Sequence, residues 1–238
     1  MLIDAPYIRR GRAPRAWIED PGHWPTLKAA YDAVRAGMAE PVAAWKLGGT
    51  NAATRTAFGI DHLYFGPLFA AEILPHGGTL RAPMLQCQVE IEIALRIGQT
   101  GPDAWCFAAE LPVSALRDPA RAGIAALVAD RCGAGALVLG PEYAIAPGDW
   151  PGEITLCIDG RPAARGNASV LLSDPAIIAR DFIARAGKLG FAPEPGQWIA
   201  TGGLTPCIPI PRRGQISITI DGKPEFSFQT EVPENDAP

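Results

Sequence analysis

The sequence predicts a mixed α/β fold dominated by strands, with helices packed outside the sheets. Two observations carry this. Among 238 residues, 26 glycines and 24 prolines punctuate short elements throughout, which suits a turn-rich β fold better than a helical bundle. Runs with the two-residue alternation of strands also outnumber those with helical spacing.

Taken in order, residues 26–39 read as a helix, with Thr26 as cap and Leu27, Ala30, Tyr31 and Val34 on one face. Strands follow at 42–47 and 89–97. In the second, Glu90 and Glu92 share one face while Val89, Ile91 and Ile93 fill the other. Residues 118–132, carrying Ile124, Leu127 and Val128, suggest a second helix. Strands at 136–139 and 153–158 precede a helix over 173–189, which starts at Ser173, Asp174 and Pro175 and stops at Gly190. Its apolar positions are Ile177, Ile178, Phe182 and Ile183. The last strands are 197–201, 215–220 and 225–232, the final pair joined by the hairpin signal Asp221-Gly222. The expected organisation is a variable, partly helical segment (1–40), one β-dominated catalytic domain (41–232) and a frayed tail (233–238).

With 21 basic and 25 acidic side chains the net charge is −4, which gives no electrostatic footprint for nucleic acid. The basic cluster RRGRAPR at 9–15 is too short to change that. No run reaches the ~18 apolar residues of a membrane span, and no secretory signal opens the chain. Five widely spaced cysteines without a CxxC pair suggest reduced thiols and a cytoplasmic location. The sequence lacks a GxSxG elbow, a P-loop, an HExxH pair and a GxGxxG turn. Three histidines leave little for a histidine-rich metal site. What remains is carboxylate chemistry. Glu90, Glu92 and Glu110 make an oxygen-only set suited to a hard ion, Mg²⁺ or Mn²⁺. On spacing alone, such a strand more often describes one whose second face is wet.

A longer pattern bears on that choice. The run AAWKLGGTNAATRTAFGIDHLYFGPLF (43–69) resembles the WKIG-T…LGVD-P-FG-LF signature of the 2-keto-4-pentenoate hydratase family, within the fumarylacetoacetate hydrolase-like superfamily. QVEIEIAL resembles its VEAEIA strand, ELPVS its third-ligand segment, and LVADRCGAGALVLG its VADNAS-G--VLG block. Residues 173–205 resemble its closing TG--T unit. The resemblance implies the superfamily's β-roll or barrel with peripheral helices, and an assembly of at least two copies. It also implies metal ligation by Glu90, Glu92 and Glu110, with Lys46 as the active-site lysine. A 2-oxo acid would chelate the ion, which would stabilise charge on the keto oxygen. Beside such a cation, Lys46 is expected to have a lowered pKa and to shuttle protons.

Several positions depart from the pattern. Tyr64 stands where the hydratases often carry an acidic residue. Arg131 and Gly133 replace the asparagine and serine of VADNAS, leaving a guanidinium fork and glycine amides for a substrate carboxylate. Thr201, in Thr201-Gly202-Gly203, is the expected hydroxyl donor. The interval from Glu92 to Glu110 is short, which keeps Glu72 and Glu153 as substitute ligands. Glu19 and His23 are the only pair resembling the water-activating lid of the hydrolase branch.

The expected function is a divalent-metal lyase hydrating a small unsaturated 2-oxo acid or 2-hydroxydienoate. Alternatives are decarboxylation of an oxalocrotonate-type acid, C–C hydrolysis of an acylpyruvate, or a binding protein of the same fold that has lost the reaction.

Overall fold

The structure, a computed structural model, describes residues 16–18, 20–38, 40–81, 88–145, 150 and 152–233. The RRGRAPR cluster, Glu19, Cys87 and the tail beyond Pro233 lie outside the described residues.

The first half runs α1 (Leu27–Gly37), β1 (Val42–Gly48), α2 (Ala52–Phe58), β2 (Tyr64–Phe69), β3 (Ile73–Pro75) and β4 (Thr79–Leu80). The middle holds the long hairpin β5 (Gln88–Ile97) and β6 (Pro102–Leu111). The short helices α3 (Pro119–Ala122) and α4 (Ile124–Ala129) follow, then β7 (Ala136–Leu139) and β8 (Tyr143–Ala144). The rest comprises β9 (Ile154–Ile158), β10 (Arg161–Gly166), α5 (Pro175–Lys188), β11 (Trp198–Ala200), β12 (Ile208–Pro209), β13 (Arg213–Ile220) and β14 (Lys223–Glu231).

The larger sheet has the order β2-β1-β11-β5-β6-β7-β3, with β12 added to β5 and β8 to β6. The smaller one runs β10-β9-β13-β14-β4. The fold is thus β-dominated with few helices, as composition suggests. The two sides of the larger sheet differ. One carries Trp45, Leu47, Phe65, Ile91, Ile93, Phe107 and Ile199, all buried, and is covered by helices. Tyr31 of α1 stacks on Phe65 at 4.6 Å between ring centres, and Phe182 of α5 meets Trp45 and Phe65 at 5.4 and 5.1 Å. The apolar residues of the opposite side are mostly small: Ala44, Ala94, Cys106, Ala108 and Ala200 are all fully buried. Large side chains supply most of the hydrophobic stabilisation on the helix side. On the other side the alanines pack into a smaller core with Leu68 and Leu137.

Two expected elements differ. The helix expected over 118–132 breaks at Gly123, whose φ of 87° lies outside helical space. It ends in a turn where Arg131, Cys132 and Gly133 all have positive φ (53°, 59° and 68°). Strand β2 was hidden by its glycine and proline. At the sheet edge, Pro67 is tolerated because its missing N–H faces away from the ladder.

Candidate metal centre

Strand register assembles the site. Glu90 on β5 lies directly opposite Glu110 on β6, and Glu92 follows two residues along β5 on the same face. One carboxylate oxygen from each lies within 4.8 Å of those of the other two. Glu92 and Glu110 are fully buried and Glu90 is half-buried. The short interval between Glu92 and Glu110 is a tight hairpin, closed where Gly98 donates to the Gly101 carbonyl at 2.8 Å. It brings Glu110 into place without an intervening helix.

Lys46 reaches the same face through a row of alanines. It pairs with Ala200 of β11, which pairs with Ala94 of β5, and directly opposed residues share a face. Its Nζ lies 2.9 Å from Glu110 Oε1. Tyr64 stands opposite Gly48, two residues beyond Lys46. A Cβ on Gly48 would collide with the Tyr64 ring, so the glycine lets the phenol lie across the strand end.

The charges do not balance. Three carboxylates, two of them fully buried, face one ammonium. Burial, then Glu110 and Glu90, push the Glu92 carboxyl well above its ordinary range. Burial likewise pushes Glu110 up to about 8, Lys46 pulling the other way. Burial disfavours the Lys46 ammonium, but Glu110 and Glu90 outweigh it and raise the group above its usual value. The lowering expected for Lys46 is therefore not found with these carboxylates alone; it requires a cation. Burial also raises the Tyr64 phenol, so this residue keeps its proton at neutral pH.

The donor set fits a divalent cation. Glu92 Oε1 and Glu110 Oε2 are buried with no hydrogen-bond partner among the described residues, an arrangement that costs free energy unless something pairs them. All the donors are hard carboxylate oxygens. Fully ionised, the three would exceed the Lys46 ammonium by two negative charges. Glu92 is already oriented, its Oε2 accepting the Gly202 amide at 2.8 Å, as a supporting partner fixes a ligand. Gly203 packs so tightly against the Glu90 carboxylate that any Cβ there would overlap it.

The remaining expected site residues are engaged elsewhere. The Arg131 fork is spent on Glu72, with Nη1 and Nη2 at 2.8 and 2.7 Å from the two carboxylate oxygens. The guanidinium also lies 4.9 Å from the Phe69 ring centre. Arg131 thus ties β2 to the turn after α4 and offers no fork to a substrate. Glu72, bound there and capping the Phe69 amide at 2.9 Å, is not a substitute ligand. Nor is Glu153, which pairs with Arg165 on the surface. The Gly133 amide donates to Asp130 and its carbonyl accepts from Val113, leaving no amide for an anion. Thr201 donates its hydroxyl to the Ile93 carbonyl at 2.8 Å and is not a free donor. His23 sits exposed ahead of α1, after a positive-φ Gly22, in no helical lid.

Three nearby residues were not singled out from sequence. Gly202 is the Glu92 anchor. Thr50 is buried beside it with an unpartnered hydroxyl. Cys207 is exposed, one residue before the Ile208–Val89 pair and so on the rung of Glu90. The signal for Thr50 and Gly202 lay in their blocks, but their packing against each other is a tertiary fact. A surface cleft of about 440 Å³ between Ile18, Leu116 and Arg121 touches none of these groups.

Among the described residues no helix is long and apolar enough to cross a membrane. No family model matches the chain. A 2-keto-4-pentenoate hydratase from Burkholderia vietnamiensis is 29% identical over 199 residues, covering 77% of this chain and 76% of that protein. The 4-oxalocrotonate decarboxylase from Pseudomonas putida G7, solved with magnesium and adipate, superposes with a TM-score of 0.75 at 18% identity, covering 86% of each chain. Fumarylpyruvate hydrolase from Pseudomonas aeruginosa, solved with Mn²⁺ and pyruvate, gives 0.57 at 17% identity, over 80% of this chain and 89% of that one. The chain thus shares the fold of these solved structures and is similar in sequence to a 2-keto-4-pentenoate hydratase.

Proposed function

We propose that this protein is a divalent-metal-dependent lyase acting on a small unsaturated 2-oxo acid, with hydration of a 2-hydroxydienoate as its reaction. The observation that carries the reading is the gathered trio Glu90, Glu92 and Glu110, which when fully ionised would exceed the Lys46 ammonium by two negative charges. Its similarity to a curated hydratase supports the reaction type. Bound among these carboxylates, Mg²⁺ or Mn²⁺ supplies Lewis acidity for the negative charge that develops on the substrate keto oxygen.

The chain's own residues account for the rest. Gly202 holds Glu92 in one orientation, and Lys46 keeps Glu110 in reach while presenting an acidic N–H beside the substrate position. Tyr64 can donate a hydrogen bond, but burial keeps its phenol protonated, so it is no general base for water.

That last property favours a second reading, decarboxylation of an oxalocrotonate-type acid, which requires a proton donor at carbon and no activated water. Incubation with Mg²⁺ and a 2-hydroxydienoate separates the two. Loss of diene absorbance without gas supports hydration. CO₂ release from an oxalocrotonate-type acid supports the second reading. Neither reaction, with metal and oxalate still bound, leaves a binding protein. An assembly of two or more copies belongs to this proposal and is read by light scattering.

A further inference from the structure

The Thr50 side chain is fully enclosed by protein, 3% exposed, yet its hydroxyl has no hydrogen-bond partner among the described residues. A buried hydroxyl left this way is costly, and native structures leave few such groups unsatisfied without reason. Its position is fixed from both sides. The Thr50 carbonyl accepts the Leu172 amide at 2.9 Å, and the next residue, Asn51, bridges Leu171. The hydroxyl itself occupies the space that a Cβ on Gly202 would fill, and Gly202 has φ of +114°.

One dipeptide therefore touches three groups. Gly202 donates its amide to Glu92 and faces the Thr50 hydroxyl, while Gly203 lies against the Glu90 carboxylate. Thr50 is thus linked to the Glu92 carboxylate through Gly202, four positions along the chain from Lys46. The donors expected from sequence for a substrate carboxylate, Arg131, Gly133 and Thr201, are all consumed internally. Among the described residues the Thr50 hydroxyl, buried near Glu92, has no such partner.

We propose that the Thr50 hydroxyl donates a hydrogen bond to the carboxylate of the bound 2-oxo acid, making it a substrate-binding residue. This rests on the metal-dependent reading above. Its oxygen atom does not ligate the ion, so metal and substrate affinity should separate.

The test uses oxalate, a planar dicarboxylate, in calorimetric titrations of the purified full chain at saturating Mg²⁺. Mg²⁺ alone is titrated in parallel. Thr50→Val, nearly isosteric, is expected to weaken oxalate about tenfold to a hundredfold, the usual cost of losing a hydrogen bond to a charged group, with Mg²⁺ affinity unchanged. Thr50→Ser restores the hydroxyl and is expected to restore oxalate binding. Should the valine variant fail to fold, Thr50→Ala against Thr50→Ser makes the same comparison. Oxalate binding that is equal in the serine and valine (or alanine) variants overturns the assignment, as does a parallel loss of Mg²⁺ affinity. Failure of the wild-type protein to bind Mg²⁺ or oxalate overturns instead the metal-dependent reading on which it stands.

Discussion

Glu92 receives the Gly202 amide on one carboxylate oxygen and buries the other with no partner among the described residues. Half of this side chain is thus fixed by the fold and half is left for something else to satisfy. Glu92→Gln tests the consequence. It removes a charge that burial and its neighbours disfavour, so the metal-free variant is expected to be more stable than wild type by about 1–3 kcal/mol. It should also lose the Mg²⁺-induced rise in Tm. Thermal melts with EDTA and with Mg²⁺ read both effects, and a variant less stable than wild type in EDTA would count against surplus charge.

The pH dependence follows from Glu110. Its folded-state pKa is raised to about 8 from an ordinary value of 4.5, so between these limits the folded, metal-free chain binds a proton that the unfolded chain does not. Stability from this group is fully present below about pH 4.5 and falls as pH rises toward 8. A bound cation displaces that proton. The stabilisation conferred by Mg²⁺ should therefore grow from pH 6 to pH 8, with proton release detectable by calorimetry in buffers of different ionisation enthalpy. A flat profile over that range would contradict the linkage.

Arg131 separates structure from chemistry. Removing one partner of a buried, bidentate pair leaves the other charge stranded, so Arg131→Met should lower unfolding stability by about 3–5 kcal/mol in urea titrations. Adding Glu72→Leu should recover much of the loss. The folded fraction should bind Mg²⁺ and oxalate as wild type does, whereas a large selective loss of oxalate affinity would restore Arg131 to the substrate site.

Cys207 offers an independent probe of the same charges. The protein around its sulfur disfavours the thiolate, and Glu90 and Glu110 add to this, pushing the thiol up to about 12. Neutralising those carboxylates lowers it. Mg²⁺ is expected to accelerate maleimide labelling of Cys207 several-fold at pH 8, read by peptide mass spectrometry, and Glu92→Gln should abolish the acceleration. Cys106, Cys132 and Cys157 are buried and should label slowly throughout.

Much of this arrangement was legible in the sequence because strand periodicity is local. The alternation from Gln88 to Ile97 puts both glutamates on one face, and the Asp221-Gly222 turn joins β13 to β14 with both residues at positive φ. Strand β6 was less legible because its inner half is CFAAEL, where crowding beside the carboxylates favours alanine over β-branched residues. The substrate-side residues were misread for another reason. A guanidinium, a glycine amide and a threonine hydroxyl are all competent donors, and nothing in Arg131, Gly133 or Thr201 reveals that a fold-internal partner has taken each. Thr50 went unnoticed because its distinguishing feature, a missing partner, is visible only in three dimensions.

The proposed reaction needs one divalent cation held by Glu90, Glu92 and Glu110. A crystal soaked with Mn²⁺ and oxalate, measured at the manganese absorption edge, tests it most directly. The account predicts a single anomalous peak among the three carboxylates, with oxygen ligands at about 2.0–2.3 Å and oxalate completing the coordination. A map with no peak there at saturating manganese, and the three side chains still gathered around Lys46 alone, would contradict it.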